Sequence, residues 1–305
     1  MRVGASDAPA ADTADGWLLA SKREMNLKKH KSFHPKFYRL LEHPFVLRVL
    51  KNQEIVFKHL TEQEKQSYYL GYKSEHSFTP EMTYHHNVFY YLSSIIHTVE
   101  RIEQVPIYIR RFPNSKFFAE RNITLHKWVN YHYTNFLIMS VSLYDIALLL
   151  TNELFMLGIE PRFCNENTVA KHKLVKKTSV KSSLDSLARA INEYRDPRNL
   201  FVHRGCPPSM GFMDDLESLV YLQQAEKELG IEETMSDAAM NLLSNPFILK
   251  DLYKMERRKF VKQVEQRIDM FIELLSNLFD AQQPIYDSMS NYWRTQKTKS
   301  RPTSR

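Results

Sequence analysis

Three observations predict that this sequence folds as an all-α protein. The chain of 305 residues contains only 7 glycines, and it lacks the repeated strand-and-turn punctuation of an all-β fold. Apolar residues recur three and four positions apart over long stretches, which is the period of an amphipathic helix. Hydrophobic residues make up 43% of the chain, so a packed core can form. We therefore expect helical bundles in one large or two modest domains.

The first third of the chain predicts an N-terminal helical region preceded by a disordered segment. Residues 1–16 are small and polar, and they lack the apolar core of a signal peptide. Apolar spacing predicts short helices near 37–41 and 45–50, a helix start at 61–64, and a longer helix over 82–103 within a region that extends from 17 to 118. Residues 105–109 are predicted to be a short extended piece, and Pro106 argues against a central strand there.

The rest of the chain continues the helical pattern to a basic terminus. Its predicted elements are, in order, the longest helical pattern at 121–158, a loop at 160–180, a helix from Ser182 or Ser183, a helix at 213–229, a long amphipathic helix at 249–280, and a disordered basic tail at 286–305. Two carboxylates, Asp145 and Glu153, fall within the apolar pattern of 121–158. Each is expected to face solvent or to have a partner.

Charge and cysteine usage exclude several function classes. The net charge of +7 favours a polyanionic partner, although a basic protein without a nucleic-acid role fits equally well. Two cysteines, Cys164 and Cys206, form neither a disulfide framework nor a zinc site, so we expect a reducing, cytoplasmic location.

Polar residues interrupt the apolar run at 136–150, which is also short for a bilayer, and we expect no membrane partner. His85-His86 lacks acidic or Cys partners at ligand spacing, and no glycine-rich phosphate loop is present, so neither metal nor cofactor is expected.

Chemically competent side chains are concentrated between Arg195 and Gly205. The pair Asp196-Pro197 is typical of a helix start, and Gly205 is typical of a helix stop. Arg198 and His203 are therefore expected on one short helix, about 140° apart around its axis. That angle is too wide for a close pair, so a site using both would be completed by another helix or subunit.

Two further interpretations stay open at this point. Arg198, Asn199 and His203 can instead hold helix ends together, with Arg198 paired to Glu193. The basic cluster of the 160–180 loop either contacts phosphates or is an ordinary solvated loop. Its lysines are Lys171, Lys173, Lys176 and Lys177.

The order of elements from residue 119 to 285, with R-N-x-x-x-H on a short helix before a long terminal helix, resembles the HEPN superfamily of helical bundles. Arg198, Asn199 and His203 match the superfamily signature, and the flanking helices resemble its Cthe_2314-like branch. A second copy of the pattern, Arg121-Asn122 to His126, opens the longest helical stretch, where the superfamily does not place its motif. We treat it as a decoy.

The resemblance implies a metal-independent endoribonuclease, with a toxin or phage-defence role. His203 would act as acid and base, Arg198 would stabilise the transition state, and Asn199 would orient the phosphate or His203. Arg195, Arg204 and the four loop lysines would contact RNA phosphates. The implied partners are RNA, a second copy of the chain that completes the active site, and a regulatory protein. The alternatives are a non-catalytic HEPN module that binds RNA or nucleotides, or takes part in an assembly, and a helical interaction protein unrelated to the superfamily.

Overall fold

The computed structural model describes residues 35–60, 78–112, 115–230 and 245–299, and within these ranges all regular structure is helical. The all-α prediction is therefore confirmed. The α-helices are α1 (Tyr38–Leu41), α2 (Pro44–His59), α3 (Pro80–Arg110), α4 (Ser115–Ala119), α5 (Leu125–Leu154), α6 (Ser179–Arg204), α7 (Phe212–Leu229) and α8 (Pro246–Lys299). A 3₁₀ turn at Pro161–Phe163 and a π-helical turn at Glu166–Ala170 lie between α5 and α6.

Four long helices, α3, α5, α6 and α8, form the bundle that carries the core. Side-chain contacts at both ends of α3 show that it is antiparallel to two neighbours. Asn87 bonds Glu153 of α5 near one end, while Tyr108 stacks on His132 near the other. Two hydrogen bonds connect α3 to α8 in the same antiparallel sense: His85 with Tyr286, and Arg110 with Glu265. Helix α6 is in turn antiparallel to α8, because Glu193 pairs with Arg267 and Ser183 bonds the Asn277 carbonyl.

Helix α5 lies at the centre of this bundle. Its apolar side chains contact α3 on one side and α6 on another, and Phe136, Leu143 and Leu150 are fully enclosed. By length and composition α5 could cross a membrane, since its most apolar window has a mean hydropathy of 1.5. That window is also 61% buried inside the fold, as in the core helix of a bundle. The apolar pattern of 121–158 thus predicted a buried central helix correctly.

The C-terminal helix α8 continues well beyond its predicted end. The predicted disordered tail is wrong for residues 286–299, which extend α8, whereas 300–305 lie outside the described residues. Tyr286 is completely buried and its hydroxyl is 2.9 Å from Nδ1 of His85 and 3.0 Å from Nδ2 of Asn52. Met289 and Trp293 follow on the same helix face and pack against the core. Apolar residues at helical spacing had been outweighed by the basic composition of the segment.

The extended piece predicted at 105–109 is also wrong, because these residues complete α3. Pro106 removes one backbone hydrogen bond but is itself buried, and Val105 and Ile109 on either side of it are in the core. Their burial anchors the helix across the proline. The predicted helix at 82–103 is confirmed as the main part of α3.

The N-terminal helices share their core with the bundle. Phe45 of α2 contacts Phe279 and Tyr286 of α8, and Arg48 pairs with Asp287 at 3.0 Å. The sequence had assigned α1 to α4 to a separate region ending at residue 118, yet α3 is one of the four bundle helices. The disordered segment predicted at 1–16 and the helix start predicted at 61–64 lie outside the described residues.

Candidate active site

Helix α6 presents the R-N-x-x-x-H pattern in its last two turns. The predicted helix start at Asp196-Pro197 is wrong, because α6 is one continuous helix of 26 residues with Pro197 inside it. Upstream of the proline, Leu184, Leu187 and Ile191 are completely buried and hold the helix in the bundle. That burial offsets the hydrogen bond that Pro197 cannot donate. The segment carrying the motif is therefore fixed to the core from one side.

The predicted stop at Gly205 is confirmed. Gly205 adopts the left-handed conformation, with φ of 68°, which a residue with a side chain adopts only at a cost. Its N–H donates to the Phe201 carbonyl at 2.9 Å, and the N–H of Cys206 donates to the Leu200 carbonyl at 3.4 Å. These bonds satisfy the last carbonyls of α6. His203 and Arg204 thus occupy the final helical turn, where a positive charge is favoured by the helix dipole.

Arg198 is held at the surface between two oxygen-bearing side chains. Its Nη1 donates to Oδ1 of Asn199 at 2.9 Å, and its Nη2 lies 3.9 Å from a carboxylate oxygen of Asp145 on α5. The side chain is 26% exposed, and its Nε is buried without an acceptor among the described residues. The pairing with Glu193 considered from the sequence is absent, since Glu193 pairs with Arg267 at 2.7 Å. The remaining N–H groups on Nη1 and Nη2 of a partly exposed guanidinium can still bind a phosphate oxygen.

Asp145 is the partner that sequence reasoning left unassigned. Loss of surrounding water raises the pKa of its carboxyl from the usual value, and the nearby guanidinium groups of Arg198 and Arg195 partly oppose that change. Its side chain is 58% exposed, so the contact with Arg198 is a surface ion pair. The sequence signal was that Asp145 is one of two carboxylates within an apolar helical pattern. The identity of its partner depended on how α5 and α6 pack.

His203 is exposed in the last turn of α6. In the part of the chain that the structure describes, no hydrogen bond or ion pair engages its ring. Arg198 and His203 are five residues apart on one continuous helix, which separates them by about 140° around the axis and about 7.5 Å along it. The predicted separation is therefore present within a single copy of the chain, where the two side chains do not converge on one point.

Arg195 borders a polar groove along the outer face of α6. Its guanidinium lies over the ring of Tyr144 at 5.2 Å and 4.0 Å from Glu166. The groove has a volume of about 710 Å³ and extends along α6 from Ser182 to Arg195. The Tyr144 hydroxyl is buried beside it without a hydrogen-bond partner in the described ranges. Burial, together with the charge of Glu166, raises the pKa of Tyr144 above its usual value.

The other residues predicted to contact phosphate lie at opposite ends of α6. Arg204 is exposed in the last turn, beside His203. Lys173, Lys176 and Lys177 are exposed just before α6 begins, and Lys171 bonds Asn167 at 2.7 Å. Because α6 rises about 1.5 Å per residue, its start lies about 36 Å from His203. A single copy of the chain thus places Arg195 one turn before Arg198 and Asn199, puts Arg204 on the opposite side of α6 from Arg195, and leaves the lysines at the far end.

The second R-N-x-x-x-H copy has a structural environment. Nε2 of His126 is 2.7 Å from Oδ1 of Asp214 in α7, and Nδ1 is 4.0 Å from Glu217. His126 is 13% exposed, and Arg121 instead packs over the ring of Phe117 at 3.7 Å. The arrangement connects α7 to the beginning of α5.

No cluster of three or more His, Cys, Asp or Glu side chains able to hold a metal occurs in the described residues. Of the adjacent histidines noted from the sequence, His85 is buried and hydrogen-bonded to Tyr286. That contact is explained by packing between α3 and α8.

A helical bundle that carries R-N-x-x-x-H near the end of one of its helices is typical of the HEPN class of proteins. Residues 91–283 match the family model of the Cthe_2314-like HEPN proteins. Since the match covers well over half of the chain, the protein belongs to that family. Membership relates it to proteins that act on or bind nucleotides and RNA. No curated protein and no solved structure matches the chain.

Proposed function

We propose that this protein is a metal-independent endoribonuclease whose active site is built on Arg198, Asn199 and His203. The observation that carries the proposal is the placement of all three on the last two turns of α6 in a chain of the HEPN family, with Asn199 and His203 exposed and Arg198 partly exposed. Of the two copies of the pattern, this is the one whose histidine is available to a substrate. Its arginine and asparagine are already oriented towards each other at 2.9 Å.

The proposed reaction uses the nucleophile that RNA itself carries. The 2′-hydroxyl loses its proton to a base, and its oxygen bonds to the adjacent phosphorus. The bond from phosphorus to the 5′-oxygen breaks, and that oxygen takes up a proton, leaving a 2′,3′-cyclic phosphate and a 5′-hydroxyl. A histidine titrates near neutral pH and can serve as base or acid, while Arg198 would neutralise charge on the phosphorane oxygens.

One histidine supplies one of the two proton transfers at a time, so we propose that two copies of the chain face each other at one cleft. The separation of Arg198 and His203 around α6 supports this arrangement, because neither can reach the other across the helix. Exposed Leu200 and Val202 lie between them in sequence and offer apolar surface for the pairing. Arg195 and Arg204 would contact phosphates on either side of the scissile bond.

The four loop lysines would contact more distant parts of the RNA. Their distance from His203 in one copy means that the substrate, or the second copy, would have to span the length of α6. We extend the proposal to a cytoplasmic toxin or phage-defence effector that a regulatory protein partner controls. This part derives from the superfamily, in which such roles are common.

A second candidate function is a non-catalytic module that binds RNA or nucleotides. The observation that favours it is the engagement of Arg198 by Asn199 and Asp145 within the same chain. An arginine that mainly joins α5 to α6 would leave a basic surface without a transition-state contact. Binding without turnover would separate this function from the first.

The deciding experiment is an RNA cleavage assay with EDTA present. The native protein is compared with His203→Ala and with the control His59→Ala. His59 is another exposed histidine, and it lies on α2, outside the motif. We expect the native protein and His59→Ala to cleave equally and to leave 2′,3′-cyclic phosphate ends. We expect His203→Ala to lose about 10²- to 10⁴-fold in rate, the usual contribution of a general acid or base.

Two results would contradict the proposal. Loss of native activity in EDTA would remove the metal-free mechanism. A native protein that binds RNA but leaves varied RNAs intact would favour the binding module instead.

A further inference from the structure

A second basic surface lies between the end of α3 and the first third of α8. It is a groove of about 320 Å³ lined by Arg110, Arg257, Arg258, Val261, Lys262 and Glu265. Four of these six side chains are cationic. Neither the family match nor the R-N-x-x-x-H pattern includes them in a site.

The charges in this groove are poorly compensated. Glu265 is its only acidic side chain, and Arg110 already binds it at 2.6 Å. For Arg257, Arg258 and Lys262, no carboxylate lies within ion-pair distance among the described residues. Arg258 and Lys262 are four residues apart on α8, a spacing at which like charges repel. A bound anion would relieve that repulsion.

The geometry points to this groove as a second binding surface for single-stranded RNA, which contacts the phosphates of the proposed substrate away from the cleavage site. The inference rests on the proposed function for the identity of the ligand. Guanidinium groups match phosphate oxygens in shape and charge, and phosphate contacts supply most of the sequence-independent affinity of proteins for nucleic acid.

The lining of the groove favours RNA over an acidic protein partner. The centre of a protein–protein interface is usually apolar and depleted of charge. Here the only apolar side chain of the lining is Val261, and it is 4% exposed. The groove therefore presents charged donors with almost no apolar surface between them.

The position of the groove allows one RNA to reach both surfaces. Contacts of Glu193 with Arg267 and of Ser183 with Asn277 set the antiparallel register of α6 and α8. Continued by about one and a half turns, that register brings Arg198 level with Lys262 along the bundle. The groove faces α3, whereas the motif lies on the other side of α8. A strand bound in the groove would cross α8 at the level of the motif.

The test measures RNA affinity in a His203→Ala background, where the proposed cleavage cannot consume the ligand. The groove variant carries Arg257→Gln, Arg258→Gln and Lys262→Gln, which remove charge and keep the side-chain stems. The matched control carries Lys51→Gln, Lys58→Gln and Lys227→Gln, which remove the same charge from exposed positions on α2 and α7. Binding of a labelled single-stranded RNA is followed by fluorescence anisotropy at a series of salt concentrations.

We expect the groove variant to bind at least about 10-fold more weakly at low salt. The slope of log K against log salt should fall in magnitude by about 2, since each lost contact with a single strand contributes about 0.7. The control should keep the slope of the parent. The single variant Lys262→Gln, at an exposed position, should lower the slope by about 0.7 and remains informative if the triple variant fails to fold.

Equal affinity and slope in the groove and control variants would overturn the inference, as would an absence of RNA binding at low salt. Its fate is separable from that of the proposed function. A native protein that cleaves RNA while the groove variant binds normally refutes only the groove. If the native protein binds RNA without cleaving it, and the groove substitutions weaken that binding, only the nuclease proposal is refuted.

Discussion

The two copies of R-N-x-x-x-H in this chain share a spacing and differ in conformation. The copy from Arg121 to His126 begins in a turn, where Asn122 has a φ of 54°. Thr124 then caps α5 by accepting a hydrogen bond from the N–H of Lys127. Arg121 and His126 therefore lie on different local structures. The copy from Arg198 to His203 lies wholly within α6, so that helical geometry alone determines the separation of these two residues.

The partners of the two histidines differ as much as their backbones do. His126 is enclosed between Asp214 and Glu217, and its role is explained by the contact between α5 and α7. His203 is exposed at a helix end that nothing in the described part of the chain covers. The spacing of a short motif therefore does not identify a site. Secondary structure and burial decide which copy can meet a substrate.

The largest expected difference between the copies is in catalysis by their arginines. We expect Arg198→Ala to reduce kcat for RNA cleavage by about 10²- to 10³-fold, the effect of removing one donor that stabilises a transition state. Arg121→Ala should leave kcat within about twofold, because Arg121 packs on Phe117 and its copy of the pattern is not the proposed site. Single-turnover rates at saturating RNA measure both. Equal losses from the two variants would show that the motif copies had been assigned incorrectly.

The next difference is in stability, and here the larger effect is expected for the copy that contains His126. His126→Ala should lower the free energy of unfolding by about 2 kcal/mol, since it removes a hydrogen bond to a charged partner and leaves Asp214 less well satisfied. His203→Ala should change it by less than about 0.5 kcal/mol, as is usual for an exposed side chain. Urea unfolding followed by circular dichroism gives both values. A destabilising His203→Ala would indicate that His203 has a structural role.

The sequence predicted the helices wherever the apolar pattern was uninterrupted, and its largest boundary errors lay near prolines. Pro106, Pro197 and Pro284 each lie inside a helix of the structure. A proline removes one hydrogen bond at a cost of about 3 kcal/mol, and buried residues on both sides can outweigh that cost. Whether they are buried is a property of the tertiary structure. Local rules for helix ends therefore displaced the start of the motif segment of α6, the extended piece predicted at 105–109 shortened α3, and the basic composition of residues 286–305 shortened α8.

The motif itself could be identified from sequence, because it depends on residues five apart on one helix. Its surroundings could not. The contact of Arg198 with Asp145 joins two helices whose relative position no local pattern encodes. The distance of Lys176 and Lys177 from His203 depends on the length of α6, which Pro197 obscured. The α3–α8 groove combines residues from positions 110 and 257–265, and only the packing of the bundle brings them together.

A third comparison concerns the carboxylate beside each copy and its response to pH. Burial alone would raise the pKa of Asp214, but hydrogen bonds from His126, the Met210 N–H and Ser209 outweigh it and lower the pKa below its usual value. A carboxyl with a lowered pKa stabilises the fold above its unfolded pKa, and that stabilisation is lost as the pH falls through the lower folded value.

We therefore expect Asp214→Asn to destabilise the protein at pH 7 by about 1–2 kcal/mol. The difference from the native protein should shrink as the pH falls below about 4, because the unfolded carboxyl takes up a proton there before the folded carboxyl does, and it should be smallest below the lower folded pKa. Urea unfolding at a series of pH values measures this convergence. A difference that does not depend on pH would mean that the shape of the side chain, and not its charge, stabilises the contact between α5 and α7.

The smallest expected effect is at Asp145, and its sign distinguishes the two copies. Water is displaced around this carboxyl, and the pKa is raised despite Arg198 and Arg195. A carboxyl with a raised pKa destabilises the fold once it is ionised, so the protein loses a little stability as the pH rises from the unfolded pKa through the folded value. Asp145→Asn keeps a neutral side chain of the same shape. At pH 7 we expect it to be neutral or stabilising by no more than about 0.5 kcal/mol, the scale of a surface ion pair.

The result expected for Asp145→Asn is thus opposite in sign to that for Asp214→Asn under identical conditions. Thermal unfolding of the two variants in parallel at pH 7 is sufficient to compare them. If Asp145→Asn proves destabilising by as much as Asp214→Asn, then the ion pair with Arg198 holds α5 and α6 together. Arg198 would then join α6 to α5 as His126 joins α5 to α7. The copy from Arg198 to His203 would then be structural, and the proposed catalytic role of Arg198 would be wrong. A neutral or stabilising Asp145→Asn leaves Arg198 free to exchange its carboxylate for a phosphate.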